Sequence, residues 1–386
     1  MNERRQIVFY RTLPIDPDSK SGSGVRPVRL LDAFRRLGYD VEVVAGRAPE
    51  RKRAMREVEQ KLQSGVRYDF LYAEPPTTPV PLNETHHLPV HPLMDYRFLM
   101  RCHSSGVPVA LFYRDVQWRL PHYPRSVGWP KYAFMLPFFH ADLAVYRRCV
   151  DAWLVPDLGM RARIAPWLAG RPVWASPPGF DETEAPSARV ARSAGAPLRL
   201  FYVGGIEPPV YDLLPLLRGM SSAVKGGIGC ELTICCRQAE WARGGAAYAS
   251  YLGDHVQVVH NRSRRELLDL YARHDVAVMP YGTLNSDWAM PVKFAEAIGL
   301  FTPVLSGVGT AVGKAVAEQG IGWVVGSSPE EFAARLATVD EAALEGARAA
   351  VARVRPSYSW TERARQIAVI AGSVRVSNRD QVERLA

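Results

Sequence analysis

The sequence of 386 residues is long enough for two domains of ordinary size. A hydrophobic content of 47% and a charged content of 23% are typical of a globular protein, and no apolar run approaches the ~20 residues that would span a bilayer. The net charge is +9, and most of it lies in residues 1–190, with 27 Lys and Arg against 20 Asp and Glu. Because these basic residues are dispersed and no nucleic-acid motif accompanies them, we expect contact with an anionic membrane surface rather than with nucleic acid.

The first residues do not have the pattern of a secretory signal, because residues 1–14 place charges ahead of only four or five apolar residues. We therefore expect a cytoplasmic protein. The five cysteines have neither the spacing of a metal site nor that of a disulfide framework. The adjacent Cys235 and Cys236 are expected to be small buried hydrophobic residues of a strand.

Strand and helix patterns alternate through residues 1–182, which are predicted to form a first domain. Unbroken apolar runs rich in β-branched residues are typical of buried strands in a parallel sheet. The predicted strands are residues 7–10, 41–45, 70–73, 107–113, 152–155 and 173–175. The predicted helices are residues 25–37, 49–64, 131–148 and 158–168. This alternation predicts a doubly wound α/β domain.

A glycine-rich turn, residues 21–24, lies between the first predicted strand and its helix. Glycines at this place let the backbone approach a phosphate or a sugar closely, and Gly24 is the candidate contact. The turn lacks the glycine spacing of a dinucleotide-binding fingerprint, which argues against a nicotinamide cofactor.

Two groups of residues have the composition of metal ligands. His86, His87 and His91 lie in a proline-rich loop, where no scaffold would orient them as zinc ligands. The Asp-Pro-Asp triplet at residues 16–18 directly follows the first strand and is ordinary turn chemistry. We therefore predict no metal site.

Polar residues follow the predicted strand 107–113, where ligands usually bind in α/β folds. Arg114 and Asp115 are candidate ligand contacts at this place, and the alternative is an Arg–Asp pair that braces the loop. Trp118 offers an aromatic surface on which a sugar ring can stack, although such residues are more often part of the core.

The second half of the chain repeats the alternation after a predicted linker, residues 183–197, rich in Ala, Ser, Arg and Pro. The second predicted domain, residues 198–357, has strands at 198–203, 232–236, 256–259, 276–279, 304–305 and 322–325. Its predicted helices are residues 263–274, residues 290–300, one from about 310 and one after 328. Residues 358–386 are predicted to form a closing helix that crosses back towards the first domain.

The segment that follows strand 276–279 is the strongest candidate for a ligand site. A polar loop, residues 282–287, precedes a helix with Pro291 in its first turn, where its missing N–H costs nothing. The start of this helix would open onto the carboxyl edge of a parallel sheet, where an anionic phosphate binds favourably. Lys293 and Glu296 are three residues apart and share one helix face, which is also the pattern of an ordinary solvated face.

The run from Met290 to Ala297, followed by Gly299 and residues 302–304, resembles the donor-nucleotide motif of GT-B glycosyltransferases of the family 4 type. Residues 112–115 with Trp118 are similar to a segment of bacterial sugar transferases that build surface polysaccharides. Weaker likenesses in the same order are residues 37–41, 177–181 and 358–361. The resemblance implies two doubly wound Rossmann-like domains facing an interdomain cleft.

This resemblance also implies residue roles. Glu296 would hold the ribose of the donor, while Lys293 and the first amides of its helix would stabilise the leaving diphosphate. The remaining donor contacts would be Gly24, Gly204, Arg237, Ser286 and Met290. The acceptor contacts would be Arg114, Asp115 and Trp118, and the catalytic residues would be Asp115 and Lys293.

The sequence departs from the family pattern at two places. Trp288, beside Asp287, occupies the position of a second Glu in the family motif. A basic residue that often follows the first strand of the second domain is missing after Gly205, and Arg237 is the candidate replacement.

The resemblance implies transfer of a sugar from a UDP- or GDP-linked donor to a hydroxyl group of a glycan or lipid-linked acceptor. The reaction would retain the anomeric configuration and would need neither a metal nor another cofactor. Two alternatives stay open at this point. One is a nucleotide-sugar epimerase of the same fold, and the other is a non-catalytic sugar- or partner-binding protein on a degenerate transferase fold.

Overall fold

A computed structural model describes residues 5–19, 22–193, 195–208, 211–279 and 286–385, with side chains as far as residue 374. The chain divides into two compact units. The first consists of Met1–Pro177 and Trp360–Ala386, and the second consists of Pro178–Ser359. In this division, residues 183–197, which the sequence predicts as a linker, belong to the second unit.

The first unit is built on a sheet of six parallel strands in the order β2-β1-β3-β4-β5-β6. The strands are β1 Gln6–Tyr10, β2 Asp40–Val44, β3 Phe70–Ala73, β4 Val109–Phe112, β5 Ala152–Val155 and β6 Val173–Ala175. The helices between them are α1 Gly22–Arg36, α2 Ala48–Gln63, α3 Met94–Ser104, α4 Tyr123–Val127, α5 Trp129–Cys149 and α6 Arg161–Ile164. The strand order reverses between β1 and β3, which is the usual position of a ligand site in such sheets.

The second unit has its own sheet of six parallel strands, in the order β12-β11-β10-β7-β8-β9. The strands are β7 Leu198–Val203, β8 Cys230–Cys236, β9 Val256–His260, β10 Val276–Val278, β11 Val304–Gly307 and β12 Gly322–Val325. The helices are α7 Leu214–Lys225, α8 Gln238–Gly244, α9 Arg264–Arg273, α10 Val292–Gly299, α11 Ala311–Gln319, α12 Pro329–Leu336 and α13 Glu341–Val354. The order reverses between β7 and β10. The predicted fold class, two doubly wound Rossmann-like units, is confirmed.

The last helix, α14 Trp360–Leu385, belongs to the first unit. Trp360, Ala364, Ile367 and Ala371 recur at spacings of three and four residues, so they form one apolar stripe. This stripe is buried in the same core cluster as the side chains of β1, β3 and α1. The first unit therefore takes part of its core from the far end of the chain.

Several element boundaries differ from those that the sequence predicts. The additional helices are α3, α4, α7, α8 and α13, and the helix predicted over residues 158–168 is only the short α6 between two 3-10 turns. α1 begins at Gly22, so Gly24 lies in the first turn of the helix rather than in a loop before it. Pro27 therefore lies inside α1, where it cannot donate the helical hydrogen bond to the carbonyl group of Ser23.

α10 is shorter than predicted, and Pro291 lies just before it. Pro291 is the extended residue before the helix, with φ −72° and ψ 147°, and is not in the first turn. Gly299 is the last helical residue, and the left-handed residue beyond it is Phe301, with φ +56°. A Cβ at Gly299 would lie 2.3 Å from Cγ of Phe180, so close packing requires this glycine.

None of the helices in the described part of the chain is long and apolar enough to cross a membrane. The five cysteines are all buried and free. Cys235 and Cys236 lie in β8, as the sequence predicts, and their side chains pack in two different core clusters. Burial raises the pKa of the Cys236 thiol to about 12, which is consistent with a packing role.

Candidate functional site

The carboxyl edge of the second sheet brings together the starts of two helices. α10 follows β10, and α11 follows β11, so their first backbone amides lie at the edge where parallel strands end. The amide of Ala311 donates to the carbonyl oxygen of Ser286 at 2.7 Å, which ties the segment before α10 to the start of α11. Residues 280–285, which include most of the predicted polar loop, lie outside the described residues.

Glu296 lies between two cations. Its Oε1 is 3.1 Å from Nη1 of Arg264, and its Oε2 is 3.0 Å from Nζ of Lys293. The side chain of Glu296 is only 13% exposed, which differs from the solvated helix face that its spacing also allowed. A carboxylate buried to this extent needs ionic or hydrogen-bonding partners, and it has them here.

Arg264 is itself fixed by a second carboxylate. Its guanidinium donates two hydrogen bonds to Glu184, one of them from Nε at 2.8 Å. Burial opposes the charged form of Arg264, but the bonds to Glu184 and the charge of Glu296 outweigh it, so the pKa of the guanidinium is raised. The result is a chain of alternating charges that consists of Glu184, Arg264, Glu296 and Lys293; we call this the Glu296 chain.

Arg264 and Glu184 are not among the residues that the sequence predicts for the site. One signal for Arg264 was available in the sequence. Arg264 is the first residue of α9, directly after the capping residue Ser263, and a cation at a helix start is opposed by the helix dipole. An arginine at such a place needs a compensating anion, which Glu296 and Glu184 supply. Glu184 lay in the predicted linker and carried no local signal.

Lys293 is one-third exposed and lies near the carboxyl end of β8. Burial raises the pKa of the Cys235 thiol, and the charge of Lys293 is close enough to oppose that effect. Lys293 is the second residue of α10, so its charge lies near the start of the helix that follows β10. A cation at this place can contact a phosphate that lies against the start of α10.

The other predicted donor contacts differ in their surroundings. Gly204 directly follows β7, and its amide donates to the carbonyl oxygen of Cys235 at 3.1 Å. Arg237 precedes α8, is 63% exposed and pairs with Glu240 at 3.1 Å. Met290 is partly buried against the core cluster that surrounds α10. Trp288, at the position of the second family Glu, is 1% exposed.

The predicted contacts of the first unit follow β4. Nη2 of Arg114 lies 2.7 Å from Oε1 of Glu74. Asp115 accepts hydrogen bonds from Oγ1 of Thr77 at 2.7 Å and from the amide of Gln117 at 3.2 Å. Burial raises the pKa of the Asp115 carboxyl, although these hydrogen bonds and the charge of Arg114 oppose the shift. The two neighbours thus have separate partners and do not form the bracing pair that the sequence also allowed.

Trp118 is part of the interior of the first unit. Trp118 is 3% exposed, and its ring stacks on that of Phe139 with a centroid distance of 4.8 Å and an interplanar angle of 8°. The indole N–H donates to Oη of Tyr113 at 3.2 Å. One ring face is therefore covered by protein, and contact of Trp118 with an acceptor remains a prediction.

Within the described residues, no group of three or more His, Cys, Asp or Glu side chains could hold a metal ion. Nδ1 of His87 makes a hydrogen bond with the carbonyl oxygen of Leu82 at 2.9 Å, and Nδ1 of His86 accepts one from the amide of Leu88 at 3.0 Å. Both histidines therefore have a ring nitrogen engaged by the loop backbone.

Comparison with known proteins agrees with the fold described above. Residues 197–340 match the family model described as glycosyl transferases group 1. The chain is similar to the structure of a sucrose-phosphate synthase from Thermosynechococcus elongatus, with a TM-score of 0.59, 14% identity, and coverage of 97% of this chain and 100% of the other. It is also similar to HepE of Anabaena in complex with UDP, with a TM-score of 0.60, 12% identity, and coverage of 95% and 100%.

A third similar structure is AviGT4, a glycosyltransferase involved in avilamycin A biosynthesis, with a TM-score of 0.56, 15% identity, and coverage of 97% and 98%. No curated protein sequence shows significant similarity to this chain. These likenesses extend over nearly the whole chain and show its fold. The predicted GT-B fold of two Rossmann-like units is confirmed, and the resemblance of residues 112–115 to surface-polysaccharide enzymes remains a prediction.

We expect Glu296→Ala to weaken the binding of UDP by about ten- to a hundredfold, because charge-assisted bonds to two vicinal hydroxyl groups are lost. Arg264→Met should weaken it less, since Glu296 stays but loses its support. Lys293→Ala should weaken it in a way that diminishes as salt is added. Isothermal titration calorimetry at two salt concentrations measures all three.

Glu318→Ala is the matched control, because Glu318 forms an exposed pair with Lys314 in α11 and carries no proposed contact. It should leave UDP affinity unchanged. If Glu296→Ala behaved like this control in a well-folded protein, Glu296 would have no part in nucleotide binding.

Proposed function

We propose that this chain, whose residues 197–340 match the model described as glycosyl transferases group 1 and whose fold is that of GT-B enzymes, transfers a sugar from a nucleotide-sugar to a hydroxyl acceptor. The observation that carries the proposal is the largely buried Glu296, held between Arg264 and Lys293 in the helix that follows β10. HepE, one of the similar structures, was solved with UDP and with UDP-glucose. This favours UDP over GDP as the carrier of the sugar.

The donor contacts follow from the order of groups along α10. The amides at the start of the helix and Lys293 meet the diphosphate, because both present positive charge at the sheet edge. Glu296 lies about one turn further along, where its carboxylate accepts hydrogen bonds from the ribose hydroxyl groups. Arg264 and Glu184 position this carboxylate and need not touch the donor.

The same groups favour departure of the nucleoside diphosphate. Negative charge grows on the leaving phosphate as its bond to the sugar breaks, and fixed donors aimed at that charge lower the barrier. Lys293 and the amides of α10 fill this role without a metal ion. In the reaction we propose, the acceptor hydroxyl gives its proton to the leaving phosphate and attacks the same face of the sugar, so that configuration is retained.

We assign the acceptor to the first unit, where Arg114 and Asp115 follow β4. Thr77 and Gln117 fix the carboxyl group of Asp115 in a partly buried position. A carboxylate held in this way can orient a hydroxyl group by accepting its hydrogen bond.

A lipid-linked acceptor would suit a groove of about 470 Å³ between α2 and α3. The basic residues that line it are Lys52, Arg56, Arg97 and Arg101. Glu59 pairs with Arg101 at 2.6 Å and offsets only one of these charges. Two large apolar side chains of the same lining, Val90 and Leu93, are 59% and 50% exposed. We propose that this groove rests on the anionic cytoplasmic face of a membrane.

Purified protein should release UDP from a UDP-sugar in the presence of its acceptor, and the rate should stay within about twofold in EDTA because Lys293 supplies the charge of a metal. A thermal-shift screen with UDP, GDP and ADP selects the donor first, and coupled detection of the released nucleotide then measures turnover. Loss of activity in EDTA that added magnesium or manganese restores would contradict metal independence.

The same assay separates the alternatives. An epimerase would convert the nucleotide-sugar without an acceptor. A non-catalytic protein would bind UDP and show no turnover with any acceptor. Analysis of the product anomer by NMR tests retention.

We expect Asp115→Asn to lower turnover strongly while the affinity for UDP stays near the wild-type value. Burial raises the pKa of Asp115, so acidification should inactivate the wild-type enzyme at a higher pH than an ordinary aspartate would allow. The activity of the Asp115→Asn variant should not show this loss at low pH. Melting temperature and activity that fall in parallel, with an unchanged pH profile, would instead indicate a structural role.

The double variant Lys52→Glu, Arg97→Glu should bind anionic vesicles at least about tenfold more weakly than the wild type, since each basic residue near such a surface adds about 1 kcal/mol. Sedimentation with phosphatidylcholine vesicles containing phosphatidylglycerol measures this binding. The control is Arg125→Glu, Arg161→Glu, which changes the same charge on exposed residues elsewhere in the first unit. Equal loss in both variants would show that net charge, and not the groove, attracts the vesicles.

A further inference from the structure

Three arginines surround one glutamate at the carboxyl edge of the first sheet. Arg11 directly follows β1, Glu74 directly follows β3, and Arg114 comes shortly after β4. Arg26 reaches the same point from α1. We call these four residues the arginine cluster. β1 and β3 are the strands between which the sheet order reverses, so the cluster occupies the position where α/β sheets usually bind ligands.

The cluster carries more positive than negative charge. Glu74 is fully buried, with Oε1 2.7 Å from Nη2 of Arg114 and 4.0 Å from Nη1 of Arg11. Its Oε2 is 3.5 Å from Nε of Arg26. Arg26 also donates to the carbonyl oxygen of Ser176 at 3.1 Å and to its Oγ at 2.9 Å, so this arginine has a structural role. One carboxylate therefore faces three guanidinium groups. Of these, Arg26 is also held by Ser176, whereas Arg11 and Arg114 are not.

Several N–H groups of Arg11 and Arg114 lack a hydrogen-bond acceptor among the described residues. Nε and Nη1 of Arg11 and Nε of Arg114 are buried, and in the described structure no hydrogen-bond acceptor meets them. The residue Arg11 is only 5% exposed. A buried guanidinium with unmet donors is unfavourable in a folded protein unless a ligand or water completes it. These donors therefore point to an oxyanion as the missing partner.

The first turn of α1 lies beside Arg11 and Arg114 and leaves the arginine cluster accessible to an oxyanion from solvent. Because Pro27 has no N–H, the carbonyl group of Ser23 loses its helical donor, and Nη2 of Arg11 at 3.3 Å and Nη2 of Arg114 at 3.5 Å approach it instead. Gly22 and Ser23 are exposed. The side chain of Arg114 is 16% exposed, so the cluster reaches the surface beside the first turn of this helix.

A second set of arginines shows the contrast with a structural cluster. Asp275 accepts hydrogen bonds from Arg199 and is also paired with Arg189, Arg192 and Arg348. Arg348 also pairs with Glu341 and Glu345, so further carboxylates compensate the charge there. This set precedes β10 and lies at the amino edge of the second sheet, away from the usual ligand position. The arginine cluster differs on both points, because Glu74 is its one carboxylate and it lies at the carboxyl edge of its sheet.

We propose that Arg11 and Arg114 bind an oxyanion carried by the acceptor, either a phosphate or a carboxylate. Two guanidinium groups present paired N–H donors that match the oxygens of such a group. Arg26 is a positioning residue that holds Glu74. The inference rests on the proposed function in one respect, because it assigns the oxyanion to the acceptor and leaves the donor diphosphate to α10.

The experiment measures anion binding with the donor position filled. Wild-type protein saturated with UDP is titrated calorimetrically with inorganic phosphate, inorganic pyrophosphate, glucuronate and, as a neutral comparison, glucose. We expect saturable binding of at least one anion and none of glucose. Preference for pyrophosphate or phosphate indicates a phosphorylated acceptor, and preference for glucuronate indicates an acidic sugar.

Arg11→Met should weaken the preferred anion by about ten- to a hundredfold, while UDP affinity stays unchanged. Arg11→Lys should recover part of the loss, since it keeps the charge but offers fewer donors. Arg125→Met, an exposed arginine of the same unit, is the control and should have no effect. Should Arg11→Met fail to fold, Glu74→Gln provides a second test, because removal of the competing carboxylate should tighten anion binding.

Several results would overturn the proposal. These are no anion binding in UDP-saturated protein, displacement of the anion by UDP, or equal effects of Arg11→Met and Arg125→Met. Failure of the proposed function has a different signature, because UDP would then not bind while the anion still did.

Discussion

Parallel strand pairing is the constraint on which both candidate sites depend. When every strand of a sheet runs in one direction, every strand ends at the same edge, and the residues that follow strands distant in sequence become neighbours. In the first unit this brings Arg11, Glu74 and Arg114 together. In the second unit it brings the start of α10 beside the ends of β7 and β8. Arg11, Glu74 and Arg114 lie just beyond buried strands, whereas Lys293 and Glu296 lie on the helix that follows one.

The two sites solve the problem of a buried charge in different ways. Glu296 has a cation on each side, and Glu184 in turn balances Arg264, so the Glu296 chain contains two carboxylates and two cations. Such a balanced chain keeps a carboxylate ionised and oriented, which suits the recognition of neutral hydroxyl groups. Glu74, in contrast, is outnumbered by arginines, and the surplus positive charge suits an anion. Charge balance thus distinguishes the site that we propose for ribose from the site that we propose for an oxyanion.

Local patterns predicted most of the strands, because a buried parallel strand has a short, unbroken apolar run that depends little on its partners. They failed where the local signal was weak or had two explanations. α3 follows a loop rich in proline and histidine, which obscured the apolar spacing of Tyr96, Leu99 and Cys102. Gly299 ends α10, and a local pattern could not show that the ring of Phe180, a residue far away in the sequence, leaves no room for a side chain there.

The sequence by itself determined that the chain has two α/β units, and that Lys293 and Glu296 share a helix face, because strand runs and helical spacing are local properties. The tertiary structure alone decided which partners these residues have. Arg264 lies 32 residues from Glu296 and 80 from Glu184, and Arg114 lies 40 residues from Glu74. No local pattern encodes these pairs, because strand order and helix packing, and not sequence spacing, set which charges meet. The same reason explains why Arg11 had no visible role until the order of β1, β3 and β4 placed it beside Glu74.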